Sequence, residues 1–235
     1  MGGYCQRMPR PDVAPGHITV FGDVLCGWAT VALHHLYRAR SEAGLEQVVT
    51  IDHQLFLLED VNEMALNTKT IEGEKPVVGQ LVEELEFKPW QRDPSEYPVT
   101  SLLGNEAVQA AKAQSARAAE RLDMALRLAF WRDSRCISMR HEILDVADAC
   151  PDVDAKALAQ ALDDGRARAG MMQTYHAHRD DIQGSPHFFF ADGYDVHNPG
   201  VTMHQVGETG AGFLVLDSHD PSVYRQLVDR AAGTR

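Results

Sequence analysis

Hydrophobic and polar positions along this chain change rhythm twice. His17 to Asp23 reads His-Ile-Thr-Val-Phe-Gly-Asp, β-branched and aromatic enough for a strand. After a turn over Asp23 to Gly27, the period lengthens. Ala29, Leu33, Leu36 and Tyr37 recur three and four residues apart, which predicts a helix over Trp28 to Ala43 with Gly44 as its stop. Gln47 to Phe56 returns to alternation, with Val49, Ile51, His53 and Leu55 on one side. Strand, helix and strand with so long a connection predict a parallel βαβ unit.

Past a stretch marked by Pro76, Pro89, Pro94 and Pro98, the helical period takes over. Asn105 to Trp131 predicts one long helix, with Leu122, Leu126 and Ala129 on a face and Ala125 and Phe130 beside them. Ser138 is placed to cap a helix running through Ala149, ahead of Pro151. Asp154 is placed to cap another that reaches Asp164 before Gly165, and a further helix spans Arg166 to Arg179. Strand character resumes at His187 to Ala191, and Asp192-Gly193 is a hairpin turn leading to Tyr194 to His197. Phe213 to Leu216 is an apolar run that extends or flanks that sheet. Asp220-Pro221 opens a last helix through Ala232. The order is β-α-β, a helical block, then β-β-α.

Composition narrows the classes without deciding among them. Hydrophobic residues make up 44% and charged residues 24% of 235, the balance of a globular chain. The net charge of −12, with no basic tract, argues against a nucleic-acid partner. No apolar run reaches the roughly 18 residues that would span a bilayer, so no membrane partner is expected. Met1 to Pro15 has no apolar stretch, reads as a flexible lead-in rather than a signal or anchor, and suggests a cytoplasmic protein. In that setting Cys5, Cys26, Cys136 and Cys150, which show no CxxC spacing, are expected as free thiols.

Cys26 stands just ahead of the first predicted helix. Exposed N–H groups and the helix dipole at such a position stabilise a thiolate and lower its pKa. The plainer reading is a small buried hydrophobe at a strand end. Cys136 and Cys150 read as a loop thiol and a helix-packing thiol. Cys5, in the lead-in, is the one other thiol with a conceivable reach to Cys26. Histidine is a common metal ligand, but His34-His35 and His176-x-His178 point to different sides of their helices. His176 and Asp180 share a face without a third ligand, and His187, His197, His204 and His219 are scattered, so no metal site is expected. Phosphate-loop, dinucleotide-fingerprint and Gly-x-Ser-x-Gly patterns are missing from the sequence.

Two segments carry a family resemblance. Phe21-Gly-Asp-Val-Leu-Cys-Gly-Trp-Ala29 resembles the DsbA-type motif in which an Asp precedes Cys-Pro-Trp-Cys. Cys26 matches the nucleophile and Trp28 the tryptophan, while Gly27 replaces proline and Ala29 replaces the resolving cysteine. Gln183-Gly-Ser-Pro-His-Phe-Phe-Phe190, followed by Asp192-Gly193 and His197-Asn-Pro-Gly200, resembles the loop that sets a cis proline against that cysteine.

The resemblance is to DsbA-like proteins, in particular their cytoplasmic FrnE-like branch. It implies an α/β thioredoxin fold, 16–62 plus 183–235, split by an all-helical insertion over 63–182. It further implies Cys26 as nucleophile, with Gly27, Trp28, Ser185, a cis Pro186 and His187 at the substrate. Ser185 would pair with an extended substrate. His187 would act as an acid/base partner or, more plainly, sit half-exposed on its strand.

Without a thiol at position 29, a mixed disulfide on Cys26 cannot be resolved internally. The expected chemistry is then single-thiol exchange completed by glutathione or mycothiol as co-substrate, with no covalently bound cofactor. A variant of it is a thiol-dependent transferase or isomerase of small aromatic metabolites, the helical block forming an apolar pocket over Cys26 lined by Trp28, Trp90 and Trp131. The opposing expectation is a ligand- or peptide-binding, chaperone-like protein that has lost redox activity. A homodimer is compatible with either.

Overall fold

The computed structural model describes residues 10–66, 68–207 and 212–233. Strand β1 (His17–Gly22) lies parallel to β2 (Thr50–Leu55), and helix α1 (Gly27–Glu42) makes the crossover between them. β3 (His187–Phe190) joins β1 antiparallel on its other side, and β4 (Asp195–His197) completes the sheet in the order β2-β1-β3-β4. β1 is buried along almost its whole length, which is why it reads as a continuous apolar run rather than an alternating one. One face of the sheet sends Ile18, Val20, Ile51, Phe188 and Phe190 against Leu33 and Leu36 of α1 and Tyr224, Leu227 and Val228 of α9 (Val223–Ala232). The other sends Phe21, Leu55 and Phe189 against Met171 and Tyr175 of α8 (Arg166–His178).

The lead-in is not loose throughout. Val13 is buried on that second face, and Arg10 pairs with Asp195 at 2.7 Å, so Arg10 to Pro15 is docked.

Between β2 and α8 stand α2 (Leu58–Val61), α3 (Thr68–Gly79), α4 (Leu102–Ala111), α5 (Ala116–Trp131), α6 (Arg140–Asp148) and α7 (Ala155–Asp164). Three features differ from the sequence reading. The long helix predicted from Asn105 is two helices, because Ser115 takes an extended backbone and its Oγ accepts the Ala118 N–H at 2.9 Å, starting α5 afresh. Ser138 does not cap α6; its Oγ donates to the Thr100 carbonyl, tying two loops together. The proline-marked stretch holds α3, with Pro76 inside its last turn and the helix ending at Gly79.

Phe213 to Leu216 also differs. It lies in β6 (Phe213–His219), which pairs with β5 (Val201–Val206) as a separate two-stranded sheet. Val201, Met203, Leu214 and Leu216 of that hairpin pack on the helical core. That core is continuous with the end of the main sheet: Val24, Leu25, Cys26 and Trp28 belong to the same apolar cluster as Val78, Leu126, Phe130 and Trp131.

Candidate active site

The turn after β1 is held by backbone and buried polar groups before any chemistry is considered. The Cys26 N–H bonds to the Asp23 carbonyl at 3.0 Å, and Cys26 then caps α1. Its Sγ accepts the Ala29 N–H at 3.4 Å and donates to the Ser185 carbonyl at 3.2 Å. The Ser185–Pro186 peptide is cis. Ser185 also accepts the Asp23 N–H on its Oγ at 3.0 Å, so the two loops meet at two points. A Cβ on Gly184 would lie 2.5 Å from His197 Nε2, so any side chain there would have to displace that ring.

Below the turn, Arg127 on α5 is fully buried against Asp123, Nε to Oδ2 at 2.7 Å. Its Nη1 donates to the carbonyls of Asp23 (2.8 Å) and Cys26 (3.4 Å) and to Thr30 Oγ1 (3.3 Å). One guanidinium thus ties the insertion to the start of α1. Sequence reasoning missed it, although a signal existed: Asp123 and Arg127 are charged, four residues apart, and each follows a buried leucine of the apolar face.

Cys26 is covered. It is 6% exposed, and Trp28 is buried beside it. A Cβ on Gly27 would come within 3.1 Å of both Trp131 and Val78, so the insertion sits directly on this residue. Trp90 packs instead on Tyr97 and Phe130, and the expected open pocket over Cys26 is replaced by packed side chains. A groove of about 1020 Å³ does run between α1 and α5, lined by Tyr37, Arg121, Met124 and Leu128 among others, but Cys26 does not line it.

The expectation of an acidic thiol is overturned. Burial pushes Cys26 up to about 11, and the Glu74 charge adds to the rise while the Ala29 N–H and Arg127 oppose it. A helix terminus supplies partial charges, and desolvation of a full thiolate costs more than they return. Glu74 belongs to α3, one turn before Val78, and burial raises it to about 7.

His187 is corrected as well. It is 1% exposed, not half-exposed, and both ring nitrogens are committed. Nδ1 accepts the Gln183 N–H at 3.1 Å, which makes Nε2 the protonated nitrogen, and Nε2 meets Asp195 Oδ1 at 3.0 Å. It braces the cis-proline loop and is not free to touch substrate. Cys136 and Cys150 are buried free thiols, whereas Cys5 lies outside the described residues. Among the described residues no group of three or more His, Cys, Asp or Glu is placed to hold a metal, and no helix is long and apolar enough to cross a membrane.

A sequence profile of DSBA-like thioredoxin domains matches residues 17–208, which take in both loops of this site. The chain belongs to the DSBA-like thioredoxin family. Solved structures agree on the fold. A probable DsbA oxidoreductase from Streptomyces coelicolor superposes with a TM-score of 0.64 at 16% identity, over 93% of this chain and 91% of that one. A cytosolic disulfide reductase, DsbM from Pseudomonas aeruginosa, gives 0.57 at 18%, over 92% and 95%. A 2-hydroxychromene-2-carboxylate isomerase gives 0.56 at 13%, over 77% and 87%. A comparison with curated proteins finds no match. Within this DSBA-like domain, Ala29 is fully buried with its N–H on the Cys26 sulfur.

Proposed function

We propose that this protein is a single-thiol, DsbA-like exchange enzyme of a reducing compartment such as the cytoplasm, working through Cys26 with glutathione or mycothiol as co-substrate. The observation that carries the reading is the 3.2 Å contact between Cys26 Sγ and the Ser185 carbonyl. The family resemblance assigns Ser185, the residue before the cis proline, to offer backbone groups to an extended substrate. The DsbM disulfide reductase has also been solved with glutathione, which supports a small thiol as partner.

The exchange balances without a second cysteine. Deprotonated Cys26 attacks the glutathione sulfur of a mixed disulfide R–S–S–G, forming Cys26–S–S–G, and R–S⁻ leaves and takes up a proton. A second glutathione thiolate attacks that adduct, releasing oxidised glutathione and restoring the Cys26 thiolate. With Cys26 only 6% exposed and its thiol raised by burial, this exchange requires the cover over the turn to open.

The same burial favours a second reading, a binding module in which Cys26 is packing. Peptide-mapped mass spectrometry after incubation with oxidised glutathione or mycothiol disulfide separates the two. The enzyme reading expects a Cys26 adduct that excess thiol removes, and catalytic turnover lost in Cys26→Ser. Folded protein that takes no adduct at Cys26, while urea-unfolded protein does, decides for the binding module.

A further inference from the structure

The Asp23 carboxyl group is fully buried directly beneath the Cys26 turn. Its Oδ1 accepts the Leu25 N–H at 2.8 Å, and its Oδ2 accepts the Leu58 N–H at 3.2 Å and lies 2.7 Å from Ser101 Oγ. The same Ser101 Oγ lies 2.9 Å from Oε2 of Glu59 on α2. Glu59 Oε1 is occupied by Thr100 Oγ1 at 2.6 Å and the Ser101 N–H at 2.8 Å. Ser101 has one hydroxyl proton and faces two carboxyl groups. With both ionised, one of those contacts brings two oxygens together with no hydrogen between them. One added proton completes the set: Asp23 O–H donates to Ser101 Oγ, and Ser101 O–H donates to Glu59.

We propose that Asp23, Ser101 and Glu59 share one extra proton as a latch that fastens the Cys26 turn to the helical insertion, and that loss of this proton as pH rises loosens the latch. The other polar groups around Asp23 do not supply a substitute. Asn105 on α4 takes the Val24 N–H on its Oδ1 at 3.2 Å, Ser185 takes the Asp23 N–H, and Arg127 on α5 bonds to the Asp23 carbonyl rather than to its carboxyl group. Burial first, and the Glu59 charge second, push Asp23 up to about 6. The latch is therefore closed in mild acid and opens toward neutrality. The latch itself does not require Cys26 to be catalytic; its role in uncovering the thiol rests on the exchange reading above.

Carboxyl-carbon NMR titration tests it. Asp23 should titrate near 6 in the native protein. In Glu59→Gln the new amide donates to Ser101 Oγ, which then donates to ionised Asp23, so no extra proton is needed and the Asp23 midpoint should fall by about one unit or more. Hydrogen exchange, corrected for its intrinsic pH dependence, should show the Val24–Ala29 and Ser101–Asn105 amides losing protection roughly fivefold or more between about pH 5 and about pH 7.5. Asp23→Asn, which keeps a donor toward Ser101, should flatten that loss. An Asp23 midpoint in the ordinary carboxylate range, an unchanged midpoint in Glu59→Gln, or protection independent of pH overturns the latch. A latch that titrates as described beside a Cys26 that never takes a thiol adduct leaves the latch standing and removes the exchange function.

Discussion

The Sγ of Cys26 receives one N–H, from Ala29, and lies within the field of one anion, Glu74. Glu74 is itself raised to about 7 by burial, so at neutral pH it is part ionised and opposes a second negative charge nearby. Glu74→Gln should therefore lower the Cys26 pKa, and iodoacetamide should label Cys26 several times faster just above neutrality (~3-fold or more). An unchanged rate–pH profile would show that Glu74 exerts no field on the thiol. Gly27 makes the opposite kind of demand. Proline at the first helical position is ordinarily favourable, yet here any Cβ meets Trp131 and Val78 at 3.1 Å. Gly27→Pro should destabilise by about 1–3 kcal/mol in urea unfolding, the usual cost of overpacking. Equal stability would mean that the insertion yields easily at this contact.

At the scale of elements, α5 and α1 are joined by one buried cation. Arg127→Met leaves Asp123 without its partner, with the His53 ring 3.6 Å from it, and frees the carbonyls of Asp23 and Cys26. Breaking such a pair costs about 3–5 kcal/mol. The variant should lose stability of that order in urea and label faster at Cys26, because the start of α1 loses its tie to the insertion. Loss of stability with no change in labelling would separate Arg127 from the site. The helix start also carries a constructive prediction. The residue-29 N–H already reaches the Cys26 sulfur at 3.4 Å, so Ala29→Cys places a second thiol one turn along the same helix end. Mild oxidation should close an intramolecular bond between positions 26 and 29, read as loss of two thiols without dimer formation. Retention of both thiols, or linkage only between molecules, would deny the thioredoxin-type geometry.

For the whole molecule, charge burial sets the pH response. Burial lowers the pKa of His35 (to about 4), His53, His187, His197 and His219. A base whose folded pKa is depressed stabilises the fold above its ordinary value of about 6.5, and that contribution is lost as pH falls toward the folded value. Asp23 and Glu74 have the opposite sign, since their raised pKa values make folding stronger below the ordinary carboxylate range and weaker as pH rises through about 6 and about 7. Urea midpoints should therefore fall from pH ~6.5 toward ~4.5 less steeply in His35→Phe than in the native chain. The same acid limb in both would mean that the His35 ring is solvated. By itself, the sequence determined the opening β-α-β unit, the strand–turn–helix around Cys26 and the closing helix. Those follow from local periodicity and turn chemistry, which act over a few residues. It did not determine that Ser115 splits the long helix, that Pro76 lies inside a helix, or that β5 and β6 form their own sheet, because packing partners distant in the chain decide those points. The candidate site divides the same way. Cys26 and Ser185 were legible from motif, whereas its cover by Val78 and Trp131, its tie to Arg127 and the Ser101–Glu59 contact to Asp23 arise only when the insertion folds back. That is also why the sequence indicates an acidic thiol and the fold holds a neutral one: a helix N-terminus is local information, and desolvation belongs to the tertiary structure.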